Sequence, residues 1–291
     1  MSSILVLGGT RFFGKKLVER LVHEGHDVTV ATRGQTPDPF GDRVRRLTVD
    51  RENRESLLAA AAAGSWDVVY DNIGYTARAA LDACEAFAGR TSRYIFTSTL
   101  AVYEINGEPH AETDFDPYSY PIQPDLAADY GEGKRQAEAV LFQKASFPVC
   151  AVRFPVVLGT DDYTKRLLFH VERVRSGQPI GFPNGEAAMS FITSDEAARF
   201  LAWLGAQEAE GPFNATSTGT LTLRQIIHIV EDAVGREARI QNEPDADNRS
   251  PFALPASWTM TTDKAAQAGY TFPPLDSWFR PLVEELAAAG K

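Results

Sequence analysis

Alternation in the first hundred residues constrains this chain more than any other feature. Short runs of β-branched and aliphatic residues are separated by stretches of about ten to sixteen residues with helical periodicity. Ser3 to Leu7, Asp27 to Ala31, Val44 to Val49, Asp67 to Tyr70 and Tyr94 to Ser98 read as strands. Phe12 to His23, Arg54 to Ala63 and Ala77 to Phe87 read as helices. Strands that alternate with helices of that length form βαβ units on a parallel sheet. The predicted class is therefore α/β, with a doubly wound parallel sheet. A helix from about Leu126 to Gln143 and a strand from Val149 to Val156 continue the pattern. Thr193 with Glu196, and Thr222 with Gln225, are capping-box signatures opening helices over Ala197 to Leu204 and Ile226 to Val234. We expect residues 1–157 to form the sheet domain, with 186–220 returning to it. Residues 158–185 and 221–291 are expected to form a smaller, partly interleaved lobe.

Composition excludes several classes. The 291 residues carry a formal charge of -10, a field that repels phosphate backbones, so nucleic acid is disfavoured as the main ligand. Cys84 and Cys150, the only cysteines, make neither a disulfide framework nor a zinc cluster, and a reducing, cytoplasmic setting is expected. The five histidines show no H-x-x-x-H spacing, so no metal is expected. No run of about 18 apolar residues marks a membrane segment, and no targeting segment is visible.

The turn after the first strand, Gly8-Gly9-Thr10-Arg11-Phe12-Phe13-Gly14, places glycines where a strand bends into a helix. The exposed N–H groups of such a helix start can hold a diphosphate. This context makes the sheet a Rossmann-type dinucleotide site. An acidic residue at the end of the second strand would favour NAD by holding the ribose 2'-hydroxyl. Here that end reads Thr32-Arg33-Gly34. Arg33 matches a 2'-phosphate, and Arg11 is placed to close on the same group, so NADP is the expected cofactor, with NAD the alternative.

Tyr130-Gly131-Glu132-Gly133-Lys134 sets a phenol and an ammonium four residues apart on one helical face. A phenol is a poor base at neutral pH, but a nearby ammonium and an oxidised nicotinamide both favour the phenolate. Tyr130 would then move a proton while the nicotinamide moves a hydride. Lys134 would lower the phenol's pKa and bind the nicotinamide ribose, and Thr99 would bond the substrate oxygen.

With these residues in place the chain resembles the extended short-chain dehydrogenase/reductase family, the NAD-dependent epimerase/dehydratase group, over nearly its whole length. The resemblance rests on the glycine turn, on Phe96-Thr97-Ser98-Thr99 followed by Val102-Tyr103, on Tyr130 with Lys134, and on Arg153-Phe154-Pro155 leading to Gly159. Within that group, the Gly-Gly-Thr-Arg-Phe and Tyr-Gly-x-Gly-Lys strings look most like bacterial relatives of the chloroplast stem-loop-binding proteins. The resemblance implies that Thr99, Tyr130 and Lys134 are catalytic. It also implies that Asp50 with Arg51 lies near the adenine, Asn72, Ile73 and Gly74 beside the ribose, and Phe154 with Pro155 against the nicotinamide.

Departures from the family pattern narrow the reaction. Arg11 stands where the family has its middle glycine, Glu104 replaces the glycine after Val-Tyr, and Thr160 replaces the proline after Gly159. Leu100 and Ala101 occupy the places where 4,6-dehydratases of the family carry an acidic pair, so dehydration is not expected. The expected activity is hydride transfer at a secondary alcohol or ketone by a nucleotide-sugar epimerase or a carbonyl reductase. The alternative is a non-catalytic redox sensor or an RNA-binding module. The aperiodic segment Glu104 to Asp125, longer than most connections, is expected beside the sheet's carboxyl edge. Arg166, Arg224, Arg236 and Arg249 are possible diphosphate ligands, each expected more often as a solvated charge. The resemblance further implies a homodimer seam built from Ala77 to Phe87 and Leu126 to Gln143.

Overall fold

A computed structural model describes residues 1–126 and 128–289. Ala127, inside the predicted helix, and Gly290 and Lys291, at the end of the predicted lobe, lie outside the described residues. The elements run β1 (Ser3–Leu7), α1 (Phe12–His23), β2 (Asp27–Thr32), β3 (Arg45–Thr48), α2 (Arg54–Ala62), β4 (Val68–Asp71), α3 (Ala77–Phe87), β5 (Tyr94–Thr99), β6 (Pro109–His110) and α4 (Tyr130–Lys144). They continue with β7 (Val149–Phe154), β8 (Val156–Leu158), α5 (Arg166–Ser176), β9 (Pro179–Gly181), β10 (Ala188–Met189), β11 (Phe191–Thr193), α6 (Ser194–Gly205) and β12 (Gly211–Asn214). The chain ends with β13 (Leu221–Thr222), α7 (Leu223–Val234), β14 (Arg239–Gln241), β15 (Thr259–Met260), α8 (Asp263–Gln267) and α9 (Phe279–Ala289).

Seven strands form one parallel sheet in the order β12-β7-β5-β4-β1-β2-β3. Both faces are covered, so side chains of alternate parity enter different cores. Ile4 and Val6 pack with Leu17 and Val18 of α1 and Phe200 and Leu201 of α6. Leu5 and Leu7 pack on the other side with Leu57 of α2, Ala80 and Ala83 of α3, and Ala137 and Val140 of α4. A third core, containing Leu167, Phe191, Ile226, Phe252 and Val283, fills the lobe built around α5, α7 and α9. The strand order reverses between β1 and β4, which opens a crevice at the strands' carboxyl ends.

Two sequence boundaries shift. Pro155 follows the last residue of β7, and the chain leaves the sheet as β8, which pairs in parallel with β11 instead. The helix expected from Leu126 starts at Tyr130, where the Asp129 side chain accepts a 2.8 Å bond from the Glu132 N–H. Just before it the chain crosses the outer face of α4. Tyr120 donates to Glu132 at 2.8 Å, Gln136 receives the Gln123 N–H at 2.7 Å, and Gln143 donates to the Pro117 and Tyr120 carbonyls at 2.8 Å each. This strap packs along α4.

Candidate functional site

Gly8 adopts a positive φ of 73° and ends β1 in a sharp turn. A Cβ on the next residue, Gly9, would lie 2.8 Å from a Val18 methyl, so only glycine lets α1 pack this close to the strand. Arg11 caps α1 without a side-chain hydrogen bond, which leaves the first-turn N–H groups without a side-chain acceptor. Asn72 ties this turn to the rest of the sheet: its amide donates to the Gly8 carbonyl at 2.8 Å and accepts from the Thr97 hydroxyl at 2.7 Å.

The crevice at this switch point is a cleft of ≈ 500 Å³, within the size range of small-molecule and cofactor sites. Gly8, Gly9, Thr10, Arg11, Phe12, Phe13 and Gly14 line it, together with Thr32, Arg33, Asp50, Arg51, Asn72 and Ile73. Gln35, Thr36, Val49, Glu52, Tyr75 and Tyr163 also line it, and none of these was singled out from the sequence as a site residue. Arg51 is 4% exposed; its Nη2 is 2.7 Å from Asp71, whose carboxylate also accepts 2.6 Å from the Tyr94 hydroxyl. Burial opposes ionisation of Asp71, yet the Arg51 charge and the bonds from Arg51 and Tyr94 hold its carboxyl below the ordinary value. Nη1 of Arg51 has no protein partner although it is buried. Uncapped helix N–H groups and an orphaned guanidinium nitrogen on one cleft suit an anionic ligand bearing ring acceptors, which is the donor set a dinucleotide needs.

Other expected contacts move. Phe154 and Pro155 are buried, and Phe154 packs 5.6 Å from Phe13, which lines the cleft. The aromatic ring is held in the core by the same apolar burial that fixes β7. Gly74 is also buried, and its role is to present a carbonyl. Arg11 and Arg33 both line the cleft, and the Arg11 guanidinium is 6.0 Å from the ring centroid of Tyr163.

Two glycines of the Tyr-Gly-x-Gly-Lys string explain how α4 reaches the cleft. A Cβ on Gly131 would lie 2.7 Å from the Ala101 carbonyl, and one on Gly133 would lie 2.6 Å from the Tyr75 carbonyl. The first turn of α4 therefore touches backbone on both sides. It carries Tyr130 to the junction with a second, smaller pocket that Tyr75 also lines. The Tyr130 ring is 56% exposed. Protein packed around the phenol raises its pKa, while hydrogen bonding from Thr99 and the positive charge of Arg166 pull the other way. Thr99 ends β5, where its Oγ accepts from the Ala101 N–H at 3.1 Å and its own proton stays free to donate.

Lys134 is almost completely buried and donates 2.7 Å bonds to the Gly74 and Thr97 carbonyls. Its ammonium lies 4.6 Å from the ring centroids of Tyr75 and Phe96. Burial pushes its pKa down to about 8, with Asp71 and Glu138 opposing that fall. The positive charge that favours the Tyr130 phenolate comes from Arg166. The two carbonyls hold the ammonium below the helix turn. Of the other lobe arginines, Arg224 pairs with Glu186, Arg236 donates to the Arg175 carbonyl, and Arg249 is exposed.

Below this turn, Arg153 and Glu138 form a pair with no exposed surface; Nη2 is 2.6 Å from Oε2. Ser98 also donates to Glu138. Arg153 Nη1 reaches the Tyr103 hydroxyl at 2.8 Å and the Glu112 carbonyl at 2.9 Å, and Nη2 reaches the Phe115 carbonyl at 3.2 Å. One guanidinium thus fixes α4, β7 and the segment after β5.

Residues 4–216 match the NAD dependent epimerase/dehydratase family. The chain belongs to that family. The chloroplast stem-loop binding protein of 41 kDa b from Arabidopsis thaliana is 30% identical over 223 residues, covering 71% of this chain and 56% of that protein. UDP-glucuronic acid decarboxylase 4 from the same plant is 23% identical over 270 residues, covering 84% of this chain and 60% of that protein. The chain therefore spans little more than half the length of these curated relatives. Among solved structures, UDP-glucose 4-epimerase from Thermus thermophilus in complex with NAD superposes with a TM-score of 0.75 at 20% identity, over 99% of both chains. The Thermotoga maritima UDP-glucose 4-epimerase with UDP-glucose gives 0.78 at 18% identity, over 99% of this chain and 100% of that one. These structures share the doubly wound fold. Among the described residues, no helix is long and apolar enough to cross a membrane.

Proposed function

We propose that this family member transfers a hydride between a pyridine dinucleotide and a secondary alcohol or ketone on a nucleotide-sugar or related carbohydrate. One observation carries the proposal: Tyr130 stands at the mouth beside Thr99, with Lys134 beneath it, next to a cleft whose donors suit a dinucleotide. A bound pyridine dinucleotide would supply the hydride acceptor or donor. Thr99 donates to the substrate oxygen and orients it toward Tyr130. Tyr130, with its raised pKa, holds its proton at neutral pH, the state in which it protonates a reduced ketone oxygen. In the oxidising direction the same oxygen takes the alcohol proton, helped by the charge of Arg166. Lys134 holds the Gly74 and Thr97 carbonyls and offers its third N–H to the cofactor side.

The cofactor would meet its adenosine end at Thr32 and Arg33, where Arg33 favours NADP and the carboxylates Asp50 and Glu52 of the same cleft favour NAD. Arg33 and Arg11, both on this cleft, are the cations offered to a 2'-phosphate. NAD, bound in the solved T. thermophilus enzyme, is the competing outcome. Leu100 and Ala101, neither of them acidic, support hydride transfer without dehydration. The Arabidopsis stem-loop binding relative favours a second reading, RNA binding, which the charge of -10 opposes. Incubation with UDP-hexoses and simple ketones, with each dinucleotide in turn and product analysis, tests the proposal. An epimer or a reduced alcohol supports it, whereas turnover of none of them with RNA retained in a gel-shift assay would favour the second reading.

A further inference from the structure

One residue of the cleft wall comes from beyond the sheet. Tyr163 lies in the loop from Gly159 to Lys165, between β8 and α5, and its ring is 64% exposed. It meets Phe12 edge-on, with centroids 6.1 Å apart at 84°, and it lies under the Arg11 guanidinium. The loop is tied so that this ring stays in place. Asp162 accepts from the Thr164 N–H at 2.9 Å and the Thr164 hydroxyl at 2.6 Å, and the Lys165 N–H bonds the Asp162 carbonyl at 3.1 Å. Asp161 accepts from Ser194 at 3.1 Å and lies 3.5 Å from Lys16 of α1.

Both ends of the contact carry backbone strain. Among the described residues, the non-glycine positions at positive φ are Phe12, at 50°, and Lys165, at 55°. L-residues pay roughly 1 kcal/mol or more for such a conformation. One of these residues touches Tyr163 and the other closes its loop. Relaxing either would withdraw a ring from the glycine turn, so the strain is concentrated where the two lobes meet over the cleft.

We infer that Tyr163 and Arg11 form a clasp that retains a pyridine dinucleotide on the glycine turn, with the Tyr163 ring as the closing element and Arg11 held between it and the anion. This rests on the reading that the cleft holds such a cofactor. The ring supplies apolar and π surface, and a cation over its face gains further attraction once water is excluded. A side chain this exposed contributes little to the fold, so its loss changes cofactor retention and leaves stability near that of the parent protein.

Stopped-flow fluorescence of NADPH and of NADH bound to the intact chain measures the dissociation rate directly. Tyr163→Ala should release the dinucleotide about tenfold faster, and Arg11→Ala severalfold faster. Tyr163→Phe should match the parent, because the ring and not the hydroxyl closes the cleft. Thermal melting should show all three variants folded. Parent-like release from Tyr163→Ala, with the dinucleotide still bound, overturns the clasp while the cofactor reading stands. Failure of the unsubstituted protein to bind either dinucleotide overturns both.

Discussion

Glu138→Leu leaves the Arg153 guanidinium enclosed without a counter-charge, because neither partner has exposed surface. Burial disfavours the cation and Glu138 holds it charged, so removing the carboxylate takes away the main compensation. Removing one partner of such a pair costs about 3–5 kcal/mol. With an unfolding entropy near 2.1 cal/mol/K per residue, the 291 residues give about 0.6 kcal/mol/K, and Tm falls by about 5–8 °C. Adding Arg153→Met removes the stranded charge. The double variant should therefore lose at least about 1.5 kcal/mol less than the two single losses added together. It does not return fully to the parent value, because the Glu112 and Phe115 carbonyls and the Tyr103 hydroxyl lose their donor. Thermal and urea unfolding followed by circular dichroism at fixed neutral pH measure all three variants. Single losses below about 1 kcal/mol, or strictly additive ones, would refute the claim that this pair pins α4 to the sheet.

Further outcomes follow from the same geometry. Gly133→Ala places a methyl 2.6 Å from the Tyr75 backbone carbonyl, which cannot swing aside; activity should fall by at least about tenfold with a stability loss of about 1–3 kcal/mol, and a parent-like kcat with parent-like Tm would argue against close approach at this turn. In ketone reduction, Tyr130 stays protonated well above neutrality while Lys134 loses its charge near 8, so the pH profile should be level at neutral pH and decline through about 8; a profile level to pH of about 10 would remove the lysine from the site. Arg166→Gln removes a positive charge that favours the phenolate, so in alcohol oxidation the ionisation assigned to Tyr130 should move to higher pH; an unchanged or lowered value contradicts the assignment. Light scattering at micromolar concentration tests the seam expected from α3 and α4: a dimer mass supports it, and a monomer mass contradicts it.

The sheet was legible because both of its faces are buried, so β1 and most of β4 appear as continuous apolar runs, while β2 and β5 carry β-branched and aromatic residues among threonines. The glycine turn could be read for the same physical reason: a strand-to-helix bend needs residues without side chains. Pro155 also stood in plain view, yet an apolar run hides the point at which a strand leaves one ladder and joins another. The start of α4 was misplaced because its first turn is fixed by Asp129 and by a strap that is distant from most of its partners in sequence. Gly131 and Gly133 carried a signal beyond spacing, since two glycines in a helix's first turn mark close backbone approach on two sides. Tyr163 gave none, as an exposed loop tyrosine acquires meaning only when the fold sets it against Phe12 and Arg11. Side-chain direction was equally hidden. Arg11 and Arg33 line one cleft, and the approach of Arg11 to the Tyr163 ring is visible only in the folded chain.

Nicotinamide absorbance and fluorescence, followed through a single turnover with an accepted nucleotide-sugar or ketone, test hydride transfer at Tyr130 most directly. The unsubstituted protein should oxidise or reduce its bound dinucleotide, and Tyr130→Phe should bind the same dinucleotide but transfer hydride about 10²–10⁴-fold more slowly. Hydride transfer by Tyr130→Phe at the parent rate would contradict the assignment of the proton step to this phenol.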